Sequence, residues 1–177
     1  YLLTYPSNLQ AILDYCDEHD IRLNGLRQVR TISEIVPPEL REHCQQTLGA
    51  SIADAYSSNE VGYMAVECPH CGQYHIQSEN ALIEILDDNG EPCAPGDSGK
   101  IVATPLHNFA MPLLRYEIGD HATVGHDTGC SIRLPTLSHI LGRSRNMLVM
   151  PDGSTRWPSF LEWTTLAPIR QYQIVQH

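Results

Sequence analysis

The feature that most constrains this chain is the alternation of strand and helix patterns across residues 1–56. Tyr1–Ser7 is an apolar and aromatic run that reads as a buried strand ending at Pro6. Ser7 is a candidate N-cap for a helix over 8–19, with Leu9, Ile12, Leu13 and Cys16 on one face. Gln28–Ser33 predicts a second strand, with Val29 and Ile32 turned inward. Pro37 and Pro38 open a second helix, 38–48, which Gly49 ends. Ser51–Tyr56 is a third strand. This order belongs to parallel strands joined by crossover helices. Such sheets receive ligands beyond the carboxyl ends of the strands, which points to Ser33, Glu34 and the segment 57–60.

From Val61 the grammar changes. Short apolar runs recur at 61–66, 81–86, 100–104, 113–116 and 121–124, and Asp87-Asp88-Asn89-Gly90 is a hairpin signal. This half reads as antiparallel sheet or a small barrel. The expected fold class is therefore α/β: a parallel βαβ portion over 1–60, then a β-rich, barrel-like unit over 61–141. Residues 142–177 remain, with a turn at Pro151–Gly153, a helix over 159–166 and a strand over 169–175. Hydrophobic content of 42% argues against disorder. A net charge of −10 argues against nucleic acid or an anionic membrane as the partner. No apolar run is long enough to span a bilayer, so the expectation is a cytoplasmic protein. The chain starts at Tyr1 within a pattern, which reads as a fragment of something longer.

Cys68, Cys71 and His75 form a Cys-x-x-Cys pair on a tight turn, with an imidazole four residues on. Thiolate and imidazole suit zinc, and a structural zinc takes four ligands. His70 and His126 are further candidates. The plainer reading is a reduced surface loop without metal. A redox pair is disfavoured by the lack of a thioredoxin-like βαβ setting.

Two motifs carry a family resemblance. Gly96-x-x-Gly99-x-Ile101 leads, through Thr104, to Leu113-Leu114-Arg115-Tyr116 and then Gly119-Asp120. Tyr56-Ser57-Ser58-Asn59-Glu60 follows the third strand. Both resemble core motifs of adenylate-forming enzymes, in the phenylacetate-CoA ligase-like branch, which includes proteins of capsular polysaccharide biosynthesis. The resemblance implies an acyl-adenylate synthetase-like N-terminal domain for most of the chain. Residues 142–177 then become a hinge and the start of a small α+β C-terminal domain.

It further implies that Tyr56 lies against adenine, that Glu60 serves the Mg²⁺ of ATP as the catalytic carboxylate, and that Asp120 binds the ribose. Ser33, Glu34, Ser57, Ser58 and Asn59 would line the nucleotide. Asn59 stands where a hydroxyl residue is usual. Gly142-Arg143 resembles a hinge motif whose arginine reaches the ribose, although Arg145 occupies a position often acidic. The segment around Cys130 resembles a cysteine-bearing segment of relatives, with Thr128 replacing one thiol. On that basis the zinc ligands are Cys68, Cys71, His75 and Cys130.

The implied parent activates a small carboxylic acid with ATP and Mg²⁺ and passes it to an acceptor, with coenzyme A expected. No phosphate loop and no C-terminal catalytic lysine lie in this chain, so alone it is expected to be inactive. The competing readings are a zinc-stabilised, non-catalytic binding module, or a capsule-biosynthesis enzyme with an acceptor other than coenzyme A.

Overall fold

The computed structural model describes residues 1–144 and 147–156. Its first part has the expected order: β1 (Leu2–Thr4), α1 (Pro6–Glu18), β2 (Gln28–Ile32), α2 (Pro38–Leu48) and β3 (Ser51–Ser58). The strands pair in parallel, with Leu2 beside Val29 and Val29 beside Ile52. Helix α1 buries Pro6, Leu9, Leu13 and Cys16, spaced to fall on one stripe. Helix α2 buries Leu40, Cys44 and Leu48 and ends on Gly49 at φ 63°, a left-handed cap that glycine adopts without strain. These stripes close over Val29 and Ile52 as one core.

Two local expectations are corrected here. Helix α1 starts at Pro6, with Tyr5 at the N-cap, and Ser7 lies inside its first turn. Proline at the first helical position has a suitable φ and lacks only an N–H that would be unpaired anyway. In β2 the buried pair is Val29 and Thr31, while Ile32 is half-buried. Alternation selects i and i+2, and the polar Thr31 occupies the inner place because its hydroxyl has a buried partner in Asp54.

The second part is antiparallel: β4 (Gly62–Glu67), β5 (Tyr74–Ile76), β6 (Ala81–Leu86), β7 (Ser98–Pro105), β8 (Tyr116–Val124) and β9 (Thr136–Arg143). A separate hairpin, β10 (Leu148–Val149) and β11 (Thr155–Arg156), turns at Asp152-Gly153. The runs 113–116 and 121–124 are not two strands. Arg115 takes a φ of 49°, which breaks the extended chain, and one strand, β8, begins at Tyr116. Arg115 is fixed there by its N–H on Thr104 Oγ1 and its guanidinium on Glu84.

One sheet runs through both parts, in the order β1-β2-β3-β4-β5-β9-β8-β7-β6. Strand β3 pairs in parallel with β2 on one side and antiparallel with β4 on the other. A second core, with Met64, Ile101 and Leu137 fully enclosed, lies within the antiparallel strands. The expected helix over 159–166, strand over 169–175, Arg145 and Asn146 lie outside the described residues. Among the described residues no helix is long and apolar enough to cross a membrane.

Candidate functional site

Strands β3 and β8 are four places apart in the sheet. If the sheet were flat, about 19 Å would separate them at the usual strand spacing. Yet Tyr56 Oη donates to Asp120 Oδ2 at 2.7 Å. The antiparallel half must therefore curl over, and the curl brings the end of β3 against the middle of β8. Asp120 is 8% exposed, and its other oxygen, Oδ1, lies 3.0 Å from Arg143 Nε. Arg143 is the direct ladder partner of Asp120 on β9. Its Nη1 donates to the carbonyl of Ile118 at 2.8 Å, which turns the guanidinium along β8. Gly119, at φ 80°, lies beside that guanidinium.

Three residues distant in sequence thus form one polar cluster: a phenol, a carboxylate and a guanidinium. Burial, then the bond to Asp120 and its negative charge, push the Tyr56 hydroxyl far above its ordinary value. It remains a protonated donor throughout the physiological range. Each oxygen of Asp120 holds one partner and keeps acceptor capacity for a ligand hydroxyl. Half the Arg143 side chain is exposed, so its charge can also meet a ligand.

The other expected nucleotide residues lie around the end of the parallel strands. Ser57 and Ser58 belong to β3, after a bulge between Tyr56 and Ser57. Asn59 and Glu60 form the exposed turn into β4, and Ser58 Oγ accepts the N–H of Val61. Ser33 follows β2 with a φ of 70°, a left-handed conformation that serine seldom takes. Glu34 turns to the start of α1, where both Ser7 N and Ser7 Oγ donate to its carboxylate. It thereby supplies the N-terminal cap that Tyr5 cannot.

The cysteine cluster lies at another edge of the curl. Cys68 follows β4, and its carbonyl accepts the N–H of Gly72, whose φ of 71° closes the knuckle turn. His75 is buried in β5. Cys130 comes from the loop between β8 and β9. The Sγ atoms of Cys68, Cys71 and Cys130 and a ring nitrogen of His75 all lie within 4.8 Å of one another. Cys68 Sγ is 3.9 Å from Cys130 Sγ, and Cys71 Sγ is 3.6 Å from His75 Nε2. Tetrahedral zinc, with bonds of about 2.3 Å to sulfur and about 2.0 Å to nitrogen, requires edges of roughly 3.8 and 3.5 Å. The donor set therefore fits zinc.

His75 Nδ1 is buried without a hydrogen-bond partner among the described residues. Leaving that atom unpaired costs about 1–3 kcal/mol, and the other ring nitrogen, Nε2, is the one turned to the thiols. His70 and His126 are exposed and outside the cluster. Gly125 lets the Cys130 loop reach the knuckle: a Cβ there would collide with Thr136 Oγ1 and Gln73 Oε1, which bond each other at 2.6 Å.

Sequence reasoning missed Asp54, a buried carboxylate in β3. Its signal was a lone acid inside the apolar run Ile52-Ala53-Asp54-Ala55.

No protein-family model matches the chain. It is 33% identical over 144 residues to the phenylacetate-coenzyme A ligase of Thermus thermophilus, a match covering 77% of this chain and 32% of the relative. The phenylacetate-coenzyme A ligase of Pseudomonas putida is 30% identical over 151 residues, covering 82% of this chain and 33% of the relative. The chain thus spans about a third of the length of these curated relatives. The open conformation of 2-hydroxyisobutyryl-CoA ligase, solved in complex with 2-HIB-AMP and CoA, superposes with a TM-score of 0.75 at 21% identity. That match covers 92% of this chain and 40% of the other, and it shows the fold. In sequence and in fold, the chain belongs to the adenylate-forming enzymes, in their phenylacetate-CoA ligase-like branch.

Proposed function

We propose that this chain is the central, nucleotide-binding segment of a ligase that activates a small carboxylic acid with ATP. The observation that carries the reading is the Tyr56–Asp120–Arg143 cluster, in which the curl of the sheet brings Tyr56 of β3 to the paired strands β8 and β9. In this reading the ring of Tyr56 flanks adenine while its hydroxyl keeps Asp120 oriented. Asp120 accepts the ribose hydroxyls and Arg143 donates to the same sugar. Ser33, Ser57, Ser58 and Asn59 line the nucleotide from the strand ends. Glu34 joins them indirectly, by holding the start of α1. Glu60, on its exposed turn, is a hard oxygen ligand suited to the Mg²⁺ that accompanies ATP.

The reaction follows from that positioning. The substrate carboxylate attacks the α-phosphorus, pyrophosphate leaves, and the acyl-adenylate then yields AMP when a nucleophile takes the acyl group. Coenzyme A thiol is the acceptor in this reading. It matches the relatives' name and the CoA in the open 2-hydroxyisobutyryl-CoA ligase. Cys68, Cys71, His75 and Cys130 would hold a structural zinc. Four protein ligands leave no open position, so the metal would clip the Cys130 loop to the knuckle and take no part in the transfer.

Acid-dependent ATP–pyrophosphate exchange by the full-length protein tests the reading, with a panel of aryl and arylacetic acids. Exchange that one acid stimulates is expected. Nucleotide binding without exchange under any acid would favour the non-catalytic binding module instead, for which the departure at Asn59 leaves room.

A further inference from the structure

Strand β3 passes from one hydrophobic core to the other. Ile52 belongs to the core under α1 and α2, and Tyr56 packs against the core of the antiparallel strands. Asp54 sits on the seam, and both its oxygens are engaged. Oδ1 accepts from Thr31 Oγ1 of β2 at 2.7 Å, and Oδ2 accepts from Tyr74 Oη of β5 at 2.7 Å. Its backbone N–H donates to Glu67 Oε2 at the end of β4 at 3.1 Å, and Arg41 Nη2 of α2 donates to that same oxygen at 2.8 Å. Three other strands converge on this residue of β3, and α2 reaches it through Glu67.

Fold stability alone does not call for this arrangement. A buried carboxylate costs free energy to desolvate, and well-packed apolar groups of similar volume often serve stability as well. Its position in β3 suggests another use. Asp54 and Tyr56 are two residues apart and share a face of the strand. Directly after Tyr56 the ladder to β4 shifts register at the bulge, and pairing resumes with Ser57 beside Tyr63. The anchor on its N-terminal side is Asp54. Tyr74, which grips Asp54, directly precedes His75 of the cysteine cluster.

We propose that Asp54 is a positioning residue for the nucleotide: held by Thr31 and Tyr74, it fixes the pitch of β3 that aims Tyr56 at Asp120. This rests on the nucleotide reading given above.

The test is AMP binding by calorimetry to the full-length protein, for wild type, Asp54→Asn, Tyr74→Phe and the double variant, with melting temperature and zinc content of each. Asp54→Asn keeps the shape but sets an amide donor against a hydroxyl donor. It should retain zinc, stay folded at the assay temperature and bind AMP about tenfold more weakly. Tyr74→Phe should weaken binding about threefold, since Thr31 still holds Asp54. The double variant should bind no worse than Asp54→Asn, because both changes remove one shared contact. A folded Asp54→Asn with a lowered melting temperature and unchanged AMP affinity would overturn the proposal, as would independent, multiplying losses in the double variant. If Asp54→Asn does not fold, Tyr74→Phe decides by the same criterion. If the wild type itself does not bind AMP, the nucleotide reading falls and this proposal with it. Unchanged affinities in the variants beside a binding wild type overturn this proposal alone.

Discussion

At the scale of single residues, the contact between Tyr56 and Asp120 does two jobs. It orients a carboxylate that would otherwise rotate, and it keeps a phenol protonated in a buried place. The second job gives a pH prediction. Unfolded tyrosines lose their proton near pH 10, whereas burial and Asp120 hold the proton of Tyr56 well beyond that, and burial and Asp54 do the same for Tyr74. Above pH 10 the unfolded chain releases protons that the folded chain keeps, so stability is complete below that pH and falls as pH rises through it. Spectrophotometric titration should show Tyr56 and Tyr74 ionising only together with alkaline unfolding. Tyr56→Phe should shrink that late step, and a step of unchanged size would contradict the assignment. Tyr56, Asp120 and Arg143 were singled out through motif resemblance. Their mutual bonds were not: the Tyr56–Asp120 contact is made by curling the sheet, and the Asp120–Arg143 pair depends on the register of β8 with β9, neither of which spacing along the chain reveals. The anchoring of Glu34 by Ser7 was hidden for a similar reason: proline set the helix start, and the serine became free for a distant carboxylate.

At the scale of elements, α1 and α2 behave as their periodicity requires. Leu9 and Leu13 are fully buried, and Leu13→Ala should cost about 2–5 kcal/mol in urea unfolding, depending on how far the site collapses. The knuckle was legible because Cys-x-x-Cys with a following histidine is a local pattern. Its completion by Cys130 depends on a loop more than fifty residues later in sequence. Cys130→Ser should lower bound zinc from about one per chain toward zero, since three ligands hold the metal far more weakly. Metal analysis after dialysis reads this directly, and full zinc retention would exclude Cys130 as a ligand. Chelation should speed amide exchange in the knuckle and the loop around Cys130 while α1 and α2 stay protected. Uniform loss of protection would mean that the metal holds the whole fold. The strand expected at 113–116 failed on one residue. Arg115 adopts a left-handed φ, stabilised by Thr104 and Glu84, and propensity alone does not predict that conformation.

At the scale of the whole molecule, one sheet, nine-stranded among the described residues, joins a parallel, helix-covered part to a curled antiparallel part. The change of grammar near residue 61 was visible in the sequence. Its meaning was less so: β3 pairs with strands of both parts, and the sheet continues across that point. That continuity lets residues at the end of the parallel strands meet Asp120. The chain covers about a third of its curated relatives, so the full-length protein is where function must be read. The most direct measurement is AMP binding to that protein by calorimetry, wild type beside Asp120→Ala. If Asp120 holds the ribose, the wild type binds at one site and the variant binds at least about tenfold more weakly, as loss of a charge-assisted bond pair would produce. Equal affinities, or no binding by the folded wild type, would contradict a nucleotide site at the Tyr56–Asp120–Arg143 cluster.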